Sequence, residues 1–129
     1  MTKANSKNGA PLANIKVVDF GHYIAGPLLG MLLADQGADV VKIDSPSNSK
    51  NDYPIKSVLD RGKKRMIVDL KSQQGLESAK DLIASADILI ENFRPGVMDL
   101  LELGPKNMTR LNPRLIYVSL PGFRSSDTE

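Results

Sequence analysis

Short runs of β-branched residues alternate with stretches of helical apolar spacing along this chain. Ile15-Lys16-Val17-Val18-Asp19-Phe20 predicts a first strand, and Gly21 to Pro27 a turn. Pro27 suits the first position of a helix, where its missing N–H costs nothing. Leu28, Leu29, Met31, Leu32 and Leu33 make that helix apolar on most sides, and Gly37 predicts its end. Val40 to Asp44 then predicts a second strand. Together these form a βαβ unit, with parallel strands and a right-handed crossover expected.

The pattern breaks over Ser45 to Asp60, which reads as a long loop. Arg61-Gly62-Lys63-Lys64-Arg65 reads as a basic turn and Met66-Ile67-Val68-Asp69-Leu70 as a third strand. Ser72 fits a helix cap, with Leu76, Ala79, Leu82, Ile83 and Ala86 at helical spacing after it. Asp87 to Glu91 predicts a fourth strand, Asn92 to Gly96 a turn, and Leu115 to Leu120 a fifth strand after short helical pieces ending at Leu111. Uninterrupted apolar strands alternating with helices predict an α/β fold, an open parallel sheet with helices on both faces. The fifth strand leads into a polar tail with no closing helix, so an uncovered sheet face is expected there.

Composition narrows the picture. A length of 129 residues argues for one domain with a modest core, and 41% apolar against 25% charged residues is ordinary for a globular protein. A net charge of +2 gives no ground for a nucleic-acid or membrane partner. The chain has no cysteine, which excludes disulfides and thiolate metal sites and agrees with a cytoplasmic location. Its single histidine argues against a histidine-rich metal site. No apolar run approaches the roughly 20 residues that span a bilayer. Met1 to Ala10 is polar and lacks a signal-peptide core, so 1–14 reads as a disordered leader and 15–129 as the folded portion.

In open α/β sheets ligands bind beyond the carboxyl ends of the strands, and four segments occupy that edge. Gly21 to Pro27 has glycines five residues apart but matches neither a dinucleotide fingerprint nor a phosphate-binding P-loop. It is a plain βα turn or an anion site at a helix N-terminus. Asp44, at the end of the second strand, is either a ribose-holding carboxylate or a solvated strand end. Arg61, Lys63, Lys64 and Arg65 place four cations within five residues, suited to phosphate if they converge and otherwise a solvated loop. No aromatics interleave with them, against single-stranded nucleic acid. In the turn after Glu91, Phe93 could stack on a base, Asn92 read a carbonyl or amide, and Arg94 pair with phosphate. The alternative is a core ring and a surface ion pair. His22 reads as a structural or ligand-lining histidine rather than a catalytic one.

Taken together, these segments resemble the N-terminal part of the class III coenzyme A transferases, a family that includes formyl-CoA and carnitine-CoA transferases and the related 2-methylacyl-CoA racemases. The stretches that carry the resemblance are Pro11 to Phe20, Ala25-Gly26-Pro27, Leu32 to Ile43, Arg61 to Lys64, Val68-Asp69-Leu70-Lys71, Ala86 to Val97 and Leu111 to Tyr117. Glu91-Asn92-Phe93-Arg94-Pro95-Gly96-Val97 is the most specific of them. The resemblance implies a Rossmann-like domain, a truncated part of a larger CoA-transferase fold, that binds the nucleotide end of coenzyme A. It implies CoA contacts at Ile24 and Ala25, at Val68, Asp69, Leu70 and Lys71, and at Asn92, Phe93 and Arg94. Charge adds Arg61 to Lys64 as a further phosphate contact. Two places depart from the family: Leu100 where an arginine is frequent, and Ser45 where some members carry a basic residue.

The resemblance further implies acyl-CoA and carboxylic acid substrates, no metal, and an interlocked homodimer for the full-length parent. The nucleophilic aspartate of the family and its second domain lie downstream of Leu120-Pro121-Gly122-Phe123, so no catalytic residue is expected within these 129 residues. The readings this leaves are an inactive transferase fragment, a racemase fragment, and a non-catalytic nucleotide-binding module.

Overall fold

The computed structural model describes residues 9–47 and 54–121. Five parallel strands form one sheet: β1 (Lys16–Asp19), β2 (Asp39–Asp44), β3 (Lys63–Ile67), β4 (Ile88–Glu91) and β5 (Ile116–Ser119). Between them run helices α1 (Ala25–Asp35), α2 (Lys56–Leu59), α3 (Gln73–Ala84), α4 (Val97–Leu100) and α5 (Pro105–Leu111). The strand order is β3-β2-β1-β4-β5. The chain therefore steps outward from β1 through β2 to β3, then returns to the far side of β1 with β4. The order reverses between β1 and β4, which makes that gap the topological switch point of the sheet.

Period-two alternation sends the strand side chains into two cores. Val18, Phe20, Ile43 and Leu89 face α3, α4 and α5, packing with Ala79, Ile83, Met98, Leu103 and Met108. Val17, Val40 and Ile90 face α1, packing with Leu29, Leu33 and Ala34. Beyond α1 this second face is thinly covered, and Ile116 of the edge strand is 59% exposed. The polar tail from which an uncovered face beside β5 was expected lies, after Pro121, outside the described residues.

Local chemistry explains the element ends. The Ser72 side chain caps α3 by accepting the Gly75 N–H at 3.0 Å, as its sequence position predicts. Gly37, at φ +102°, ends the segment after α1 in the left-handed conformation that favours glycine. Pro27 is the third residue of α1 rather than the first, still within the turn whose N–H groups have no intrahelical acceptor. The long loop read over Ser45 to Asp60 contains the short helix α2, and residues 48–53 of it lie outside the described residues. Of the leader expected over 1–14, residues 1–8 lie outside the described residues, while 9–14 form turns. Leu12 donates its N–H to the Gln36 carbonyl at 3.0 Å and packs on the α1-side core.

The third strand is a correction. It spans Lys63–Ile67, beginning three residues before the Met66 start read from the sequence. Parallel pairing with β2, Val40 opposite Lys63 through Asp44 opposite Ile67, sets this register. A run of cations is tolerated in a strand here because carboxylates on β1 and β2 lie within reach of it.

Candidate functional site

The turns after β1 and β4 meet at the switch point. Asn92 joins them: its Oδ1 accepts the His22 N–H at 2.6 Å and its Nδ2 donates to the His22 carbonyl at 2.8 Å. One residue earlier, the Gly21 N–H donates to Asp19 Oδ1 at 2.7 Å, and the Gly21 carbonyl accepts from Lys42 Nζ. Gly21 and Gly26 are glycines because their backbones touch. A Cβ built on Gly21 would stand 2.7 Å from the Gly26 Cα, and the converse holds at the same distance. The five-residue glycine spacing thus closes the turn by backbone contact. Tyr23 follows in the left-handed region at φ 60°, a conformation costing a non-glycine residue about 1–2 kcal/mol. Tyr23 and Ile24 are exposed at 79% and 54%, and Ala25 beside them opens α1.

Phe93 turns inward. Its ring meets the His22 imidazole edge-on at 4.5 Å and packs against the α3-side core, while its N–H donates to the buried Glu91 carboxylate at 3.0 Å. Arg94 is exposed, and Gly96 at φ +88° turns the chain into α4. Burial, then the Lys42 ammonium, hold the His22 imidazole below its ordinary pKa against the opposing pull of Asp44 and Asp19. Burial likewise depresses the Lys42 ammonium, with Asp19 opposing that shift and Lys63 adding to it.

The turn after β3 lies apart from these. Val68 is buried, its N–H donating to the Asp44 carbonyl at 2.8 Å, and Leu70 packs against the α3-side core. Asp69 Oδ1 accepts the Lys71 N–H at 3.0 Å, which shapes the turn and leaves the Lys71 side chain exposed. A shallow depression of about 280 Å³ lies beside it, lined by Ile67, Asp69, Ser72 and Gly75 among others. Three strand spacings, roughly 14 Å, separate the ends of β3 and β4. The nine residues singled out from the sequence therefore form two groups on one edge, and only an extended ligand reaches both.

The cations of 61–65 do not converge on a ligand, which corrects the phosphate contact read from their charge. Arg61 pairs with Asp35 at 2.6 Å, Lys63 with Asp19 at 2.8 Å, Lys64 with Asp39 at 3.5 Å and Arg65 with Asp44 at 2.7 Å. Strand alternation drives the split, sending Lys63 and Arg65 to the α1 face and Lys64 to the other. Asp44 is 4% exposed, bound by Arg65 and 3.7 Å from Lys56, so it is neither a solvated strand end nor open to a ribose. Among the described residues Lys71 and Arg94 pair with no carboxylate. These are the two candidate cations available to an anion.

Sequence reasoning missed Asp19 and Lys42 as members of the site, and read Lys63 as a phosphate contact rather than as the partner of Asp19. The signal was present in the period-two pattern. Asp19 stands two residues after Val17 and Lys42 two after Val40, so each points to the same face as a core valine. Among the described residues no cluster of three or more histidine, aspartate or glutamate side chains could hold a metal ion, and no helix is long and apolar enough to cross a membrane.

Comparison with known proteins agrees with this architecture. The CoA-transferase/lyase DddD of Marinomonas sp. (strain MWYL1) is 46% identical over 123 residues, covering 95% of this chain and 15% of that protein. Human alpha-methylacyl-CoA racemase is 44% identical over 115 residues, covering 89% of this chain and 29% of that protein. The orthorhombic crystal structure of Rv3272 from Mycobacterium tuberculosis superposes with a TM-score of 0.81 at 34% identity, covering 92% of this chain and 35% of that one. The chain thus spans between about one seventh and about one third of the length of these relatives. The sequence profile of CoA-transferase family III matches residues 12–128, and the chain belongs to that family.

Proposed function

We propose that the crevice between β1 and β4 binds the nucleotide end of coenzyme A, and that the full-length protein moves CoA between carboxylic acids. The observation that carries this reading is the switch point itself: the turns 21–25 and 92–96 flank the gap where strand order reverses, the place where open α/β sheets take ligands. Ile24 and Ala25 would meet the ligand from one side and Asn92 to Arg94 from the other. Arg94 and Lys71 would supply charge to phosphates, and Val68 to Leu70 would form the wall beside Lys71. Asn92 and Phe93 would act chiefly by shaping the site, since their amide and ring are engaged within the protein. The residues present suit an extended anionic nucleotide, with two unpaired cations and a helix N-terminus on one sheet edge.

Chemistry on the acyl group would come from residues beyond this chain, so 1–129 is expected to bind CoA without turning it over. The full-length protein would take acyl-CoA and carboxylic acid substrates, without a metal, as an interlocked homodimer in the cytoplasm. The 44% identity to human alpha-methylacyl-CoA racemase favours a second reading, in which the full-length protein racemises an acyl-CoA. Both readings share the CoA site. Calorimetric titration of the 129-residue chain with CoA, with NAD as control, tests that shared part. Salt-sensitive binding of CoA without binding of NAD is expected. A folded chain that binds neither would remove the site from this crevice.

A further inference from the structure

On the α1 face of the sheet, Asp19, Lys42 and Asp44 are buried to 0%, 4% and 4% exposure. The residues two positions earlier on β1 and β2, Val17 and Val40, are apolar. A buried ammonium pays a desolvation penalty that an apolar side chain of similar length avoids, so Lys42 calls for a role beyond packing. Its ammonium donates to one backbone group of the turn after β1, the Gly21 carbonyl.

The neighbouring backbone groups are held in the same way. Asp19 takes the Gly21 N–H on one oxygen and Lys63 on the other, at 2.7 and 2.8 Å. Lys63 in turn donates to the Pro27 carbonyl at 2.9 Å, tying the pair to α1. Asn92 takes both polar groups of His22. Four successive backbone groups are thus bonded by three side chains from β1, β2 and the end of β4, immediately before the left-handed Tyr23. Residues in sparsely populated backbone conformations persist where the surroundings over-determine them, and such places cluster at functional sites.

We infer that Lys42, acting with Asp19 and Asn92, is a positioning residue: it clamps Gly21 and His22 so that Tyr23 is held left-handed and Tyr23 and Ile24 are presented to the ligand. This deepens the CoA reading of the crevice and rests on it for the ligand, while the clamp itself stands on the hydrogen bonds above. Lys42 is buried, so it affects binding through the shape of the turn and contributes no phosphate contact. That separates it from Arg94 and Lys71, whose contribution to binding a charged nucleotide is screened by salt.

The test uses the 129-residue chain and its Lys42→Met variant, which keeps the length of the side chain and removes the donor. Amide hydrogen exchange is followed at Gly21 to Ile24 and, for reference, in β1 and β4. CoA is titrated at low and at moderate salt. The expected result is unchanged strand protection, exchange in the turn faster by about tenfold, and a CoA dissociation constant raised by about tenfold with its salt dependence intact. Arg94→Ala, by contrast, is expected to flatten the salt dependence and leave turn exchange alone. A folded Lys42→Met chain with wild-type turn exchange overturns the inference, as does faster exchange with unaltered CoA affinity. Should Lys42→Met not fold, Lys42→Leu, which likewise removes the donor, takes the same measurements with the same outcomes deciding. If the wild-type chain itself binds no CoA, the CoA reading fails, and turn exchange alone decides the clamp: lost protection sustains it and kept protection overturns it.

Discussion

The two faces of the sheet are built on different principles. The face under α3, α4 and α5 is mainly apolar, with Val18, Phe20, Ile43 and Leu89 meeting Ala79, Ile83, Met98 and Leu103, and Glu91 and Asn112 buried among them through hydrogen bonds to backbone groups. The face under α1 starts the same way, with Val17, Val40 and Ile90, then turns charged toward the carboxyl ends of the strands at Asp19, Lys42 and Asp44. Apolar packing is non-directional and stabilises any close fit. Buried charges are directional, and removing one partner leaves another unpaired in a medium that solvates it poorly. One face therefore supplies stability, and the other spends some of it to fix the shape of a turn at the crevice.

Substitutions should break this contrast in order of size. Asp19→Ala strips Lys63 of its carboxylate and Gly21 of its acceptor, and a loss of about 3–5 kcal/mol in urea unfolding is expected. Leu89→Ala, at a fully buried site on the apolar face, should cost about 2–5 kcal/mol by the same measurement. The two losses differ in kind. Replacing the pair outright, Asp19→Leu with Lys63→Met, should cost much less than Asp19→Ala, because an apolar pair can replace an ionic one, whereas the cavity at Leu89 has no such partner. A smaller effect with an unusual sign is expected at Gly30 of α1. Alanine normally stabilises a helix interior relative to glycine by about 1 kcal/mol. Here a Cβ would stand 2.5 Å from Asp19 Oδ2 and 3.1 Å from Lys63 Nζ, so Gly30→Ala should lower stability by about 1–3 kcal/mol.

The mildest test is pH. The folded protein holds His22 below its ordinary pKa of 6.5, so the unfolded chain takes up that proton first as the solution is acidified. The stability owed to neutral His22 is complete above pH 6.5 and is lost as pH falls from 6.5 toward the lower folded value. Melting temperature should decline through that window, and His22→Asn should remove that part of the decline.

Most of the fold was legible because four of the five strands are short apolar runs bounded by turn formers. β1, β2, β4 and β5 fall within about two residues of their sequence-based limits. β3 was misplaced because Lys63-Lys64-Arg65 reads locally as a solvated turn. Its strand character depends on Asp19, Asp39 and Asp44, which arrive from β1 and β2, and no local window contains that information. Asp44 was read as a ligand group or a solvated end for the same reason, since its partners Arg65 and Lys56 come from other elements. The sequence placed four segments at the carboxyl edge, and the strand order that puts the crevice between β1 and β4 is visible only in the structure, while the residues around it were recognisable by their resemblance to a family. Their division of labour was not. Asn92 and Phe93 look like ligand contacts in the sequence, yet the amide hydrogen bonds of Asn92 and the ring contact of Phe93 are directed at His22.

The central claim is that the β1–β4 switch point takes coenzyme A. Backbone amide chemical shifts of the 129-residue chain, recorded while CoA is added, test it most directly. Saturable shifts concentrated at 21–25, 69–71 and 92–96 are expected. Shifts centred instead on the depression between α3 and α5, lined by Lys80, Glu102 and Arg110, or no shifts in a folded chain, would contradict it.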